Sequence, residues 1–140
     1  MTEKLHVQGK VVLSRLLPDP EEVLRAAGKV NRCFLKCSGD DWRAKAWLVL
    51  TMNSIRSRPS KPIYLALAIL RAAGFRAPFV NETMRSMYRR IINVVRGRRL
   101  AHYKRCLAEC CGDAIEFLTS MLTDEIMEIC RRLDARMYVG

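Results

Sequence analysis

Residues 85–105 hold seven arginines and one lysine: Arg85, Arg89, Arg90, Arg96, Arg98, Arg99, Lys104 and Arg105. Arginine suits bidentate contacts with phosphate and stacking on bases, where lysine acts as a point charge. Tyr88 and Tyr103 are interleaved with these cations and offer rings on which unpaired bases can stack. The plain alternative is a solvated helix face with no partner. Such faces usually mix the two signs, and this one does not, so the block reads first as a polyanion-binding surface.

A second cluster is rich in thiols. His102, Cys106 and Cys110 are spaced i, i+4, i+8, with Cys111 adjacent; Cys130 lies downstream, and Cys33 and Cys37 repeat the four-residue step. On a helix, i and i+4 can reach one Zn²⁺, whereas i and i+8 stand about 12 Å apart and cannot easily share it. Two local ligands would then need two from elsewhere. Small buried thiols are the competing reading, because free cysteine is among the most buried residue types.

Catalytic constellations are poor. The chain has only His6 and His102, no paired carboxylates in a Gly-rich or strand-end setting, and no phosphate-binding loop or dinucleotide fingerprint. Cys106 sits beside Lys104 and Arg105, which would favour its thiolate, but basic neighbours alone do not make a nucleophile. No enzyme is expected. Trp42 and Trp47, five apart on one predicted helix, read as core residues or as part of a partner surface.

The charge is localised. Residues 56–105 contain thirteen Lys and Arg and one acid, Glu82, while the other ninety residues hold twelve basic and thirteen acidic side chains. The +11 of the whole chain therefore lives in one segment. Such a block is the electrostatic footprint of a nucleic acid, because each cation that meets a phosphate releases a condensed counterion. A surface of anionic lipid is the competing partner.

Half of the 140 residues are apolar, enough to bury a core. Residues 1–8 lack the basic and apolar regions of a signal peptide, and the longest apolar run, residues 63–70, is far too short to span a bilayer. A reducing compartment is therefore expected. There, six cysteines would be free thiols or metal ligands, not a disulfide framework.

The elements that must position these groups are helices. Lys10-Val11-Val12-Leu13 suggests a short strand. Asp19-Pro20-Glu21-Glu22 is a helix start, with Asp as cap and Pro at the first helical position. That helix runs past Phe34 and stops at Gly39. Asp40 or Asp41 caps a second, residues 42–56, with Trp42, Ala46, Trp47 and Leu50 on its buried side. Ser57-Arg58-Pro59-Ser60-Lys61-Pro62 is the clearest break. It divides the chain into an N-terminal helical region, 1–60, and a second part, 61–140.

An apolar helix over 63–73 stops at Gly74. Asn81 caps the next, on which Met84, Met87, Tyr88, Ile91, Val94 and Val95 share one side while Arg85, Arg89, Arg96 and Arg99 share another. Gly97 is placed to interrupt it. Residues 113–138 form a last amphipathic helix. The expected fold is mainly α, four or five helices, with an arginine-rich helix and a zinc-stapled cysteine cluster as its candidate features.

The run Lys61-Pro62-Ile63-Tyr64-Leu65, then Val80-Asn81, then Arg85-Ser86-Met87-Tyr88-Arg89-Arg90, followed by more arginines and the cysteines, resembles the small cysteine-rich nucleic-acid-binding proteins of carlaviruses. The resemblance covers residues 61–111. It implies an RNA-virus accessory protein that binds nucleic acid, suppresses host RNA silencing and reaches the host nucleus as well as the cytoplasm. It further implies that Arg85, Arg89, Arg90, Arg96, Arg98 and Arg99 contact nucleic acid and direct import. Cys106, Cys110 or Cys111, and Cys130 would bind zinc. Host silencing or defence proteins are implied partners. Two other classes stay open: a structural protein that coats RNA or a membrane, and a helical protein that binds a host factor through apolar faces.

Overall fold

Residues 63–70 are buried without a break, although they lie on a helix and so point in every direction around its axis. A helix that is apolar all round must be enclosed by others, and this one sets the architecture. A computed structural model describes residues 4–7, 10–13, 16–54, 58–95 and 99–136. In chain order these form β1 (Lys4–Val7), β2 (Lys10–Leu13), α1 (Pro20–Cys37), α2 (Trp42–Ser54), α3 (Lys61–Ala72), α4 (Glu82–Val94), α5 (Arg99–Thr119) and α6 (Thr123–Ala135). The protein is mainly helical. The strands form an antiparallel hairpin in which Lys4 pairs with Leu13 and Val7 with Lys10.

The enclosed helix is α3. It packs against α1, α4 and α5, and α1 also lies along α5. Core residues from both sides of the turn at residues 58–60, such as Phe34 and Leu48 before it and Leu67, Ile91 and Leu118 after it, belong to one hydrophobic cluster.

Local chemistry explains most of the ends. Asp19 caps α1 by accepting from the Glu21 amide at 3.1 Å, and Pro20 follows. The chain leaves α1 and α3 through Gly39 (φ 53°) and Gly74 (φ 95°), a left-handed conformation that a side chain disfavours. The start of α3 is tied across the fold: the Ser60 amide and hydroxyl both donate to Asp134 at the end of α6, at 3.0 and 2.7 Å. Arg58 lies 3.4 Å from the same carboxylate, whose charge would otherwise oppose the negative end of the α6 dipole.

Three sequence expectations are corrected. Trp42 and Leu50 of α2 are 70 % and 69 % exposed and Ala46 is exposed as well; the helix buries Ala44 and Leu48 instead, with Trp47 half-buried. Apolar residues surround this helix, so periodicity alone cannot select its inner face. Residues 113–138 are not one helix: the first part completes α5 beyond a non-helical residue, Cys111, and a break at 120–122 precedes α6. No Gly or Pro marks that break. Its signal is Glu125, which reaches back to accept from the Leu122 amide at 2.8 Å.

The third correction concerns the thiols. Cys33 is bonded to Cys110 and Cys37 to Cys106, so these four are neither free thiols nor zinc ligands here. The physical reason lies in the spacing itself. Antiparallel α1 and α5 each carry a cysteine at i and i+4, so the two pairs meet as successive rungs, with Cα–Cα distances of 5.9 and 5.8 Å.

Replacing Asp134 with Ala removes two hydrogen bonds and leaves the buried Ser60 amide without its acceptor. The expected loss is about 2 kcal/mol of unfolding free energy, measured as a lower urea midpoint at unchanged slope.

Candidate nucleic-acid interface

The arginine helix α4 is built as an amphipathic element. Asn81 caps it by accepting from the Met84 amide at 3.0 Å, and Glu82 in the first turn suits the positive end of the dipole. Met84, Met87 and Ile91 are buried, and the helix docks on α3. Tyr88 is half-buried, its ring edge-on to Phe79 with centroids 5.4 Å apart. This anchoring turns the 85, 89 and 90 positions outward.

The outward arginines are not equivalent. Arg85 lies 3.4 Å from Glu82 and its guanidinium sits 5.3 Å from the Phe79 ring centre. Arg89 and Arg90 are exposed and their side chains make no ion pair among the described residues. Arg99 belongs to α5, not to α4, and pairs with Asp41. Lys104 lies 5.8 Å from the Phe75 ring centre, and its stem covers Gly74. Arg105 is exposed and makes no ion pair among the described residues. Arg96 and Arg98 lie outside the described residues.

Tyr103 is placed in the core, not on this surface. It is 2 % exposed, stacks on Phe34 at 5.0 Å and donates from its hydroxyl to Ser38 at 3.2 Å. Burial pushes its pKa up. Its ring has no face left for a base.

The candidate zinc ligands are distributed over the α1–α5 contact and the core. His102, Cys106 and Cys110 form the stripe of α5 that faces α1: His102 Nε2 lies 2.9 Å from the Cys37 carbonyl oxygen, and the two cysteines carry the disulfides. Cys111 and Cys130 are buried free thiols. Cys111 donates to the Leu107 carbonyl oxygen at 3.4 Å. Among the described residues, no group of three or more His, Cys, Asp or Glu side chains is placed to hold a metal ion. The stripe expected to gather zinc instead fastens two helices.

Sequence reasoning also missed a groove beside α4. It has a volume of about 460 Å³ and is lined by Trp47 and Thr51 of α2, Lys61 of α3, and Glu82, Thr83, Ser86, Met87 and Arg90 of α4. On α4 these positions are one stripe, next to the exposed arginines. The available signal was the run of small hydroxyls and one arginine at helical spacing, which the buried and charged stripes overshadowed.

Burial raises the pKa of both free thiols, that of Cys130 to about 12. Thiolate is the reactive species, so the folded protein should take up no iodoacetamide at neutral pH. Unfolded without reductant it should take up two, and after reduction six, from its two free and six total cysteines. Intact-mass spectrometry reads all three numbers.

The chain matches no protein-family model, no curated protein and no solved structure.

Proposed function

We propose that the protein binds RNA without catalysis, through the outer face of α4, and in doing so suppresses host RNA silencing as a viral accessory protein. The observation that carries the binding step is Arg89 and Arg90 held outward on an anchored helix, their guanidinium groups in no ion pair among the described residues. Arg85 and Arg105 extend the supply of exposed guanidinium groups. The segmental charge supports the same reading, since residues 56–105 carry one acid against thirteen cations. Suppression would follow by competition: phosphates covered by this face are withheld from host silencing proteins. The carlavirus-like run at residues 85–90 supports this finer reading and the host cytoplasm and nucleus as its setting.

The disulfides bear on that setting, because such bonds persist in oxidising compartments. The arginine helix rests on α3, whereas the bonds join α1 to α5. RNA binding by α4 therefore does not need them directly. No helix among the described residues is long and apolar enough to cross a membrane.

A second reading rests on α2, which exposes Trp42, Val49 and Leu50. It is that of a helical protein that binds a host factor through an apolar face. Reversing the charge of Arg89 would leave such binding intact.

Changing Arg89 and Arg90 together to Gln should weaken RNA binding about tenfold at moderate salt. It should also flatten the log–log dependence of affinity on salt by about 1.4, the share of two single-strand phosphate contacts. Fluorescence anisotropy of labelled RNA across a salt series measures both, and unchanged affinity and slope would refute the assignment of this face.

A further inference from the structure

The groove beside α4 has the chemistry of a nucleotide pocket. Two of its linings are apolar surfaces, the indole of Trp47 and the Met87 side chain; Thr51, Thr83 and Ser86 add hydroxyls; Lys61 and Arg90 add positive charge. The one acid, Glu82, lies within 3.4 Å of Arg85, which offsets its charge. A volume of about 460 Å³ falls in the range of small-molecule sites.

Trp47 is half-buried: its indole nitrogen is shielded from solvent, and the residue still lines the groove. Every nucleobase has a flat face that an indole can stack on. Arg90 belongs both to this lining and to the outward face of α4, so a strand bound along that face passes the mouth of the groove.

We infer that the groove accepts one unpaired nucleotide of the bound strand, its base against Trp47 and Met87 and its phosphate toward Lys61 and Arg90. The inference rests on the proposed RNA binding and deepens it: the ligand class is single-stranded nucleic acid. A paired base keeps its hydrogen-bonding edge and both faces engaged within the duplex, and cannot enter.

The test uses the full chain carrying Trp42→Phe. This removes an exposed indole and leaves Trp47 as the sole tryptophan, since the chain has two. Oligouridylate is titrated at low salt, with Trp47 emission and the anisotropy of a labelled oligouridylate followed in parallel. The expected result is quenching of Trp47 that saturates along the same isotherm as the anisotropy. Trp47→Phe in the otherwise unaltered chain should lower single-strand affinity about tenfold through weaker stacking, and leave affinity for a duplex of equal length unchanged. Binding seen by anisotropy with Trp47 emission unaltered would overturn the nucleotide pocket while leaving the arginine face standing. A duplex that binds as tightly as the single strand would overturn it too. Absence of any binding at low salt would overturn both the pocket and the proposed RNA binding.

Discussion

The structure depends on enclosing α3. Eight consecutive residues of that helix are buried, and only a shell of helices can remove every face of a helix from water. Alpha1, α4 and α5 supply that shell. Each must then be apolar inward and free to be polar outward, and α4 uses the freedom to display arginines. The same demand explains Ser60 and Asp134. The start of a buried helix has amide groups that water cannot reach, so a carboxylate from α6 supplies the acceptor.

The α1–α5 bonds secure one side of this shell. They are nested, Cys33 to Cys110 across 77 residues and Cys37 to Cys106 across 69. In the chain-entropy account, the first bond to form restricts the unfolded chain by about 4.5 kcal/mol. With it in place, the second closes a ring of only about ten residues, worth about 3 kcal/mol. The pair therefore stabilises the α1–α5 side chiefly by restricting the unfolded chain, while the enclosure of α3 holds the arginine helix.

The fold was legible where local chemistry decides it. The cap at Asp19, the stops at Gly39 and Gly74, the cap at Asn81 and the buried stripe of α4 all follow from residue types at short spacing. The thiol ladder was half legible: both four-residue steps are plain in the chain, but their pairing needs the antiparallel approach of α1 and α5, a long-range fact. The inner face of α2 was not legible, because its apolar residues ring the helix. Nor was the end of α5, where the stop is a buried glutamate reaching back to a backbone amide. Of the candidate site, Arg85 and Arg89 stand on the outer face of α4 where their spacing put them. Tyr103 went to the core because α5 turns its stripe toward Phe34. The groove depends on three helices meeting, which no single stretch of sequence encodes.

Each cation of the chain that meets a phosphate steepens the fall of affinity with salt. The most direct measurement is the affinity of the unaltered protein for single-stranded RNA over a range of salt concentrations, with the disulfides intact and again after reduction. A defined arginine face on a helix held by α3 predicts a log–log slope steeper than about −2, the same in both redox states. Binding that is absent at low salt, or that vanishes on reduction while the helical content persists, would contradict the account.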